Sequence, residues 1–508
     1  MNQRRWGAIL SYVNIVATVV VGLLYTPIML RLLGQSEYGL YSLIGSVVGY
    51  LSVLDMGLGN TIVRYTAKNR VDGTEQKEAE LNGLFLQVYS VIGVITFVAG
   101  AVLYANIDAL FGATLTSGEM HRARIMMILL IFNFALSFPL SIFASILQAY
   151  EKFIFLRVTN ILRVLLNPLL VLPFLFWGYG SVMMVVVSTI LNFACLFANW
   201  FYCVHYLHVK FARGKYESVF LREIAAYSFF IFLNAIMDKV YWGTGQFVLG
   251  IVSGTVEVAI YAIAMQFMMM DMNFSGAISG VMLPKVTMMV TKRATAKELT
   301  DLMIRIGRLQ YLVVGYLFVM FALVGREFIA LWAGPSYLEA YPIVLLLMGA
   351  MLIPLVQNVG IAILQAMNLN RYRMTAYTIC AMLALAASFP LAVHFGGLGC
   401  AVATASSLFI STGYIMNRYY ARRIHLDIWR FWRNILSMSK GLLLFAIAAF
   451  SLQEYMALSI SWLHFFELVV LDTVLYIVIM YFVGMNASEK GLVRNILRMD
   501  LQSKCNSS

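Results

Sequence analysis

The tetrapeptide Ile146-Leu147-Gln148-Ala149 returns 217 positions later as Ile363-Leu364-Gln365-Ala366. Its surroundings return with it. Pro173 and Pro390 keep the same spacing, and the turn Gly178-Tyr179-Gly180 is echoed at nearly the same offset by Gly396-Gly397-Leu398-Gly399. Each copy ends an apolar stretch and precedes basic residues: Lys152 and Arg157 in the first, Arg371 and Arg373 in the second. The pattern predicts one membrane bundle duplicated in tandem. Two pseudo-symmetric bundles with a cavity between them are a common architecture for moving a solute across a bilayer.

Composition points the same way. The chain has 508 residues, 61% of them hydrophobic and 12% charged, with a mean hydropathy of +0.83. A soluble globular protein carries about 25% charged residues. Half that share leaves too little polar surface for a water-exposed fold. Apolar stretches of about 20 residues recur along the whole length, which predicts an all-α, polytopic membrane protein. A β-barrel is disfavoured, because its strands would alternate over about ten residues. The apolar run after Arg4 and Arg5 continues to Leu33 without a small-residue cleavage site, so it reads as a retained first span. The scattered cysteines Cys195, Cys203, Cys380, Cys400 and Cys505 contain no CxxC pair and read as small packing residues.

Fourteen spans are expected, at roughly 7–30, 39–61, 83–104, 124–147, 155–177, 181–204, 225–251, 258–283, 310–332, 341–365, 374–395, 398–419, 436–456 and 463–484. With the N-terminus in the cytoplasm, the inward segments hold 31 of the 36 Lys and Arg. The outward segments hold only Arg31, Arg122, Arg124 and Arg326, and Lys239 lies mid-span. Short cytoplasmic loops collect basic residues, so both termini are expected inside. The net charge of +12 then reflects topology and attraction to anionic lipid headgroups, with no nucleic-acid partner needed. Spans 1–6 form a first lobe over 1–215 and spans 7–12 its copy over 216–425. Spans 13–14 and a polar, partly disordered cytoplasmic tail occupy 426–508. With an even number of spans in each unit, the duplication is parallel rather than inverted. The stretch Arg418–Arg433, with Trp429 and Trp432 among its basic residues, reads as an interfacial helix.

Loop-end motifs carry a family resemblance. They are Leu32-Leu33-Gly34-Gln35-Ser36-Glu37-Tyr38-Gly39-Leu40-Tyr41-Ser42, then Leu54-Asp55-Met56-Gly57-Leu58-Gly59-Asn60 through Arg64. The connection from Leu249-Gly250 to Val258-Ala259-Ile260-Tyr261-Ala262, ending at Leu283-Pro284, adds to them. Together these resemble the polysaccharide-transporter (oligosaccharide flippase) branch of the MOP exporter superfamily, across essentially the whole chain. The resemblance implies twelve or fourteen helices in two lobes around a central cavity. It also implies transfer of undecaprenyl-pyrophosphate-linked repeat units, as for O-antigen and lipopolysaccharide, to the outer face of the bacterial inner membrane.

Charges inside a membrane cost about 2.5–3.5 kcal/mol on insertion scales and are functional candidates by default. Lys239 lies near the midpoint of span 7 beside Asp238, and Asp271 near the midpoint of span 8. Lys239 could receive the lipid pyrophosphate or an acidic sugar, with the aspartates setting its charge or carrying a coupling cation. A structural Lys239–Asp271 pair is the plain alternative. Adjacent residues sit about 100° apart on a helix, so Asp238 and Lys239 do not share one direction. Asn234 and Asp238 share one face, as do Gln266 and Asn273. Such stripes line a wet cavity or form interhelical bonds of about 0.6 kcal/mol each. In the first lobe Asn14, Asp55, Asn167 and Asn192 are the counterparts. Arg64 and Arg163, near the inner ends of their spans, could meet an anionic headgroup or snorkel to the interface. A 217-residue shift places Lys239 on Gly22 and Asp271 on Leu54, so the charges break the symmetry. On that basis the second lobe holds the anion and the first supplies the moving wall. Pro139 and Pro354, at similar places in the two lobes, are candidate bending points.

No cofactor or metal is expected. His205 and His208 lack a third ligand nearby, and no GxxxxGK[ST] loop is present. The leading function is a non-enzymatic flippase working by alternating access and drawing direction from a proton or sodium gradient. Its partners are the lipid-linked oligosaccharide, membrane lipids and polysaccharide-assembly proteins. The same fold could instead export small cationic drugs, although Lys239 and a basic inner rim favour anions. A sugar polymerase or glycosyltransferase would need larger outward loops than those present.

Overall fold

The computed structural model describes residues 3–214, 218–279, 282–455 and 461–491. The lobe boundary expected at 215–216, Cys505 and the tail beyond residue 491 lie outside them. Among the described residues the chain is helical, with no strand. The first half runs α1 (Gln3–Gly49), a 3-10 segment (Tyr50–Asp55), α2 (Leu58–Asp72), α3 (Glu75–Ala105), α4 (Ile107–Phe111), α5 (Ser117–Ala149), α6 (Phe153–Phe176) and α7 (Ser181–His205). The second runs α8 (Ser218–Val252), α9 (Thr255–Ser279), α10 (Leu283–Thr291), α11 (Ala296–Trp332), α12 (Ala340–Val356), α13 (Asn358–Ala366) and α14 (Asn370–Leu408). A π-helical turn (Phe409–Met416) leads to α15 (Asn417–Arg423), and α16 (Ile428–Tyr455) and α17 (Trp462–Ile479) follow.

Ten described stretches are long and apolar enough to cross a membrane, or eleven if the bent pair α12–α13 is one span. Two of them, Arg5–Arg70 and Asn370–Arg423, are 66 and 54 residues long. A span needs about 20 residues, so each holds two. They break at glycines with positive φ, Gly34 (φ 76°) and Gly396 (φ 53°), a region that side chains avoid. With α8, these elements account for the fourteen expected spans. Arg418–Arg433 departs from expectation. It contains no separate interfacial helix, because α15 ends at Arg423 and Trp429, Arg430 and Arg433 belong to the first turns of α16 itself. Phe431 is fully buried there, which ties that turn into the protein while Trp429 stays 81% exposed.

The chain forms two compact units, residues 1–263 with 381–403, and 264–380 with 404–508. In the first, α2, α3 and α5 enclose a core of Ile62, Phe85, Tyr89, Ile142, Ile146 and Leu147. In the second, α11 and α16 pack around Val319, Met438, Phe445 and Ala449, closed by Tyr476 and Met480.

The repeated tetrapeptide has one physical meaning in both places. Ile146, Leu147, Ile363 and Leu364 are fully buried, while Gln148 and Gln365 are exposed. Both copies end a helix in the same Schellman turn. Lys152 N–H donates to Leu147 O (2.9 Å) and Glu151 N–H to Gln148 O (3.0 Å). In the second copy Leu369 N–H donates to Leu364 O (2.8 Å) and Asn368 N–H to Gln365 O (3.1 Å). Glu151 and Asn368, also 217 apart, both take the left-handed conformation that this turn demands, at φ 55° and 56°. The prolines diverge. Pro354 precedes a 42° break between α12 and α13, whereas α5 continues through Pro139.

Candidate membrane cavity and its polar groups

A cavity of about 520 Å³ opens between α1 and α6. Asn14, Val21 and Tyr25 line it from α1, at spacings of seven and four that keep them on one helix face. Asn160, Arg163, Val164, Asn167 and Pro168 line it from α6 at three- and four-residue steps. Its polar groups are short of partners. Asn14 Oδ1 and the Tyr25 hydroxyl are buried without a hydrogen bond. Arg163 and Asn160 form neither ion pair nor hydrogen bond among the described residues. Asn167 alone is committed, donating to Ser188 Oγ on α7 (3.0 Å). A fork of guanidinium donors beside amide and hydroxyl groups suits a phosphoryl oxygen and sugar hydroxyls. The structure thus brings Asn14 and Arg163 together with Asn167, and adds Tyr25 and Asn160, which the sequence did not single out.

Lys239 is half-buried on α8 and forms no ion pair or hydrogen bond among the described residues. Its Nζ faces the end of α1, where a β-carbon on Gly49 would lie only 3.5 Å away. Just beyond, Tyr50 and Thr244 hydroxyls meet at 3.4 Å and the Tyr50 ring packs edge-on against Phe247. Asp238 is exposed, and both it and Asn234 are engaged by neighbours. Asp271 on α9 is 3% exposed, and neither carboxyl oxygen has a partner. Gln266 is engaged, and Asn273 is exposed.

Two other candidates have structural work. Asp55 accepts a hydrogen bond from Tyr89 OH (3.0 Å) where the 3-10 segment gives way to α2 through Met56 and Gly57, both left-handed. Asn192 donates to Asn133 Oδ1 (2.7 Å) and Ser137 Oγ (2.8 Å), joining α7 to α5. Arg64 is exposed, with its guanidinium 5.8 Å from the Tyr65 ring centre.

The loop ends opposite the basic face hold a polar cluster that sequence reading missed. Glu119 is 6% exposed and completes a capping box with Thr116. The same carboxylate accepts from Ser36 Oγ (2.5 Å) and Thr255 Oγ1 (2.8 Å). Thr114 Oγ1 donates to Gly250 O (2.6 Å). The 3–4 connection therefore clasps the hairpin between α8 and α9. Beside it Glu37 pairs with Arg122 (2.6 Å) and accepts from Ser181 N–H (3.1 Å) and Oγ (2.5 Å) at the 5–6 turn. Glu257 does the same at the 11–12 turn, accepting from Gly397 N–H (2.9 Å). The signal was in the sequence as Gly-x-x-Glu-x-x-x-Tyr, at Gly34, Glu37 and Tyr41 and again at Gly254, Glu257 and Tyr261.

Thr255→Val is expected to loosen this clasp. It removes one hydrogen bond to a charged acceptor, worth about 1.5–3 kcal/mol, at nearly constant shape. Backbone amides near 250–256 should exchange with deuterium about tenfold faster or more. Unchanged exchange would show that the hairpin is held by packing alone.

No curated protein matches the chain in sequence. A structure titled "Lipid II flippase MurJ, inward closed conformation" superposes with a TM-score of 0.72 at 14% identity, covering 94% of this chain and 98% of that one. An inward-facing multidrug-resistance MATE transporter of the MOP superfamily superposes at 0.63, also with 14% identity, covering 80% and 95%. The MATE multidrug transporter DinF-BH gives 0.51 at 17% identity, covering 82% and 95%. At such identities these likenesses speak for the fold. The family model "Polysaccharide biosynthesis protein" matches residues 6–290, more than half of the sequence. A helical, multi-pass membrane protein with a duplicated framework and this match belongs to the polysaccharide biosynthesis protein family.

Proposed function

We propose that this protein flips a polyprenyl-pyrophosphate-linked oligosaccharide from the cytoplasmic to the outer face of the bacterial inner membrane. It acts as a transporter rather than an enzyme, with both termini in the cytoplasm. The observation that carries the reading is the cavity between α1 and α6. In a chain with 12% charged residues it sets an unpaired arginine beside two asparagine amides and a free phenol. That set favours an anionic, hydroxyl-rich cargo over a cationic drug. Membership in a polysaccharide biosynthesis family and a fold shared with a protein titled as a lipid II flippase agree with it. Lys239 supplies a second cation from α8, and Asp271 is the candidate carrier of the coupling proton or sodium ion. An O-antigen repeat unit is the proposed cargo.

The test is transport in proteoliposomes of a fluorescent lipid-linked oligosaccharide against a cationic dye. Flipping of the former with no dye efflux supports the reading; dye efflux alone overturns it. Within this scheme Lys239→Ala should leave insertion and abundance near normal while lowering glycan export at least about tenfold, the loss of one charge-assisted contact. Full export by the variant would remove Lys239 from the anion's path.

A further inference from the structure

We propose that the basic face of the second unit carries a specific site for the phosphate of an anionic phospholipid headgroup, formed where the first turn of α14 meets α15. The two elements are pinned by a stack of Tyr372 on Tyr419, with centroids 4.2 Å apart and planes at 9°. Arg373 follows Tyr372. Its guanidinium lies 5.1 Å from the Tyr377 ring centre and in electrostatic range of the Tyr420 phenol, so it leans toward α15. Its Nε is buried and has no hydrogen-bond acceptor. On α15, Arg418 precedes the stacked Tyr419, and Arg422 lies one turn further on the same face. Both are exposed and form neither ion pair nor hydrogen bond among the described residues.

The absence of local anions is built into the sequence. No Asp or Glu occurs between Glu339 and Asp427. The carboxylates at the first turn of α16 are engaged there: Asp427 accepts from Arg430 N–H (2.9 Å), and Asp301 pairs with Arg430 (2.7 Å). Arg373, Arg418 and Arg422, carried by the two elements that this rigid aromatic step joins, therefore have no counter-ion among the described residues. Basic pockets of this kind beside membrane helices suit doubly charged phospholipid headgroups. Arginine's planar fork also matches phosphate oxygens in pairs. The site is built from α14 and α15 of the second unit and shares no residue with the cavity of α1 and α6.

The full-length protein in phosphatidylcholine nanodiscs, titrated with cardiolipin and followed by native mass spectrometry, tests it. Wild type should retain cardiolipin over phosphatidylcholine. The triple variant Arg373→Gln, Arg418→Gln, Arg422→Gln should lose roughly tenfold or more in occupancy, given the contribution of each surface cation. A control variant, Lys292→Gln, Arg293→Gln, Lys297→Gln, removes as much charge from the α10–α11 connection and should bind like wild type. Equal losses in both variants would reduce the site to general basicity and overturn it, as would unchanged binding in the triple variant. Displacement of cardiolipin by equimolar undecaprenyl pyrophosphate would reassign the site to the transported lipid. If the triple variant does not fold, Arg418→Gln alone, at an exposed position, carries the same test with a proportionally smaller loss.

Discussion

Arg163→Ala is expected to lower transport of the lipid-linked glycan by about 10- to 150-fold while the protein inserts at normal abundance. The side chain is exposed, and its removal breaks no ion pair or hydrogen bond among the described residues. On the proposed flippase reading, what is lost is a charge-assisted hydrogen bond to the cargo phosphate, worth about 1.5–3 kcal/mol. Each 1.4 kcal/mol corresponds to about tenfold. Arg163→Lys should recover part of the rate, since it restores the charge but not the two-pronged geometry. Tyr25→Phe should cost less, because it deletes one neutral donor that bonds to no protein group in the cavity. Flipping rates in proteoliposomes, normalised to inserted protein, decide the matter. A fully active Arg163→Ala protein would mean that the arginine only snorkels to the interface.

The largest stability effect is expected at Arg308. It is 4% exposed and sits on α11 at the centre of a polar knot. Nε and one terminal nitrogen hold Glu489 at 2.6 and 2.9 Å. The terminal nitrogens also donate to Asn434 O (2.9 Å), Ser437 Oγ (3.4 Å) and Gly484 O (3.0 Å). One side chain thus fastens α16 and the segment after α17 onto α11. Arg308→Ala leaves the nearly buried Glu489 carboxylate without its counter-ion, at a cost of about 3–5 kcal/mol. The Arg308→Met, Glu489→Met double variant should recover much of that loss, because no orphan charge remains. Thermal unfolding in one detergent measures both. Equal melting of Arg308→Ala and wild type would exclude the knot as the fastening.

Much of this was legible in the sequence, and the reason is physical. Hydropathy reports how much of a segment must avoid water, so the fourteen spans emerged from runs of apolar residues and from the sidedness of Lys and Arg. The repeated tetrapeptide was legible because a Schellman turn constrains backbone and burial together, as at Glu151 and Asn368. What hydropathy does not report is azimuth. Nothing along α6 says that Arg163 faces α1 rather than α7, so the cavity with Asn14 and Tyr25 emerged only when the helices were placed. The midplane charges drew attention to α8 and α9, while the cavity with Asn14, Tyr25 and Arg163 lies between α1 and α6. Contacts between loops leave no periodic trace either, which is why the cluster at Glu119 was not singled out. Asp55 shows the converse: a carboxylate inside a span, which reads as functional, is spent on Tyr89 where the helix breaks.

The twin caps at Glu37 and Glu257 also bear on how the chain is made. Each carboxylate meets its turn 144 or 140 residues later, at Ser181 and Gly397. At synthesis rates of about 5–20 residues per second, roughly 7–30 s separate the appearance of each glutamate from that of its partner amide. During that interval the hairpin bearing Glu37 or Glu257 lacks its partner amide, although Arg122 reaches Glu37 before Ser181 does. Cap closure is then a late event of biogenesis, completed only when the sixth or twelfth span has been inserted. In each half of the duplicated chain it joins the hairpin bearing the glutamate to the start of the last span of that repeat.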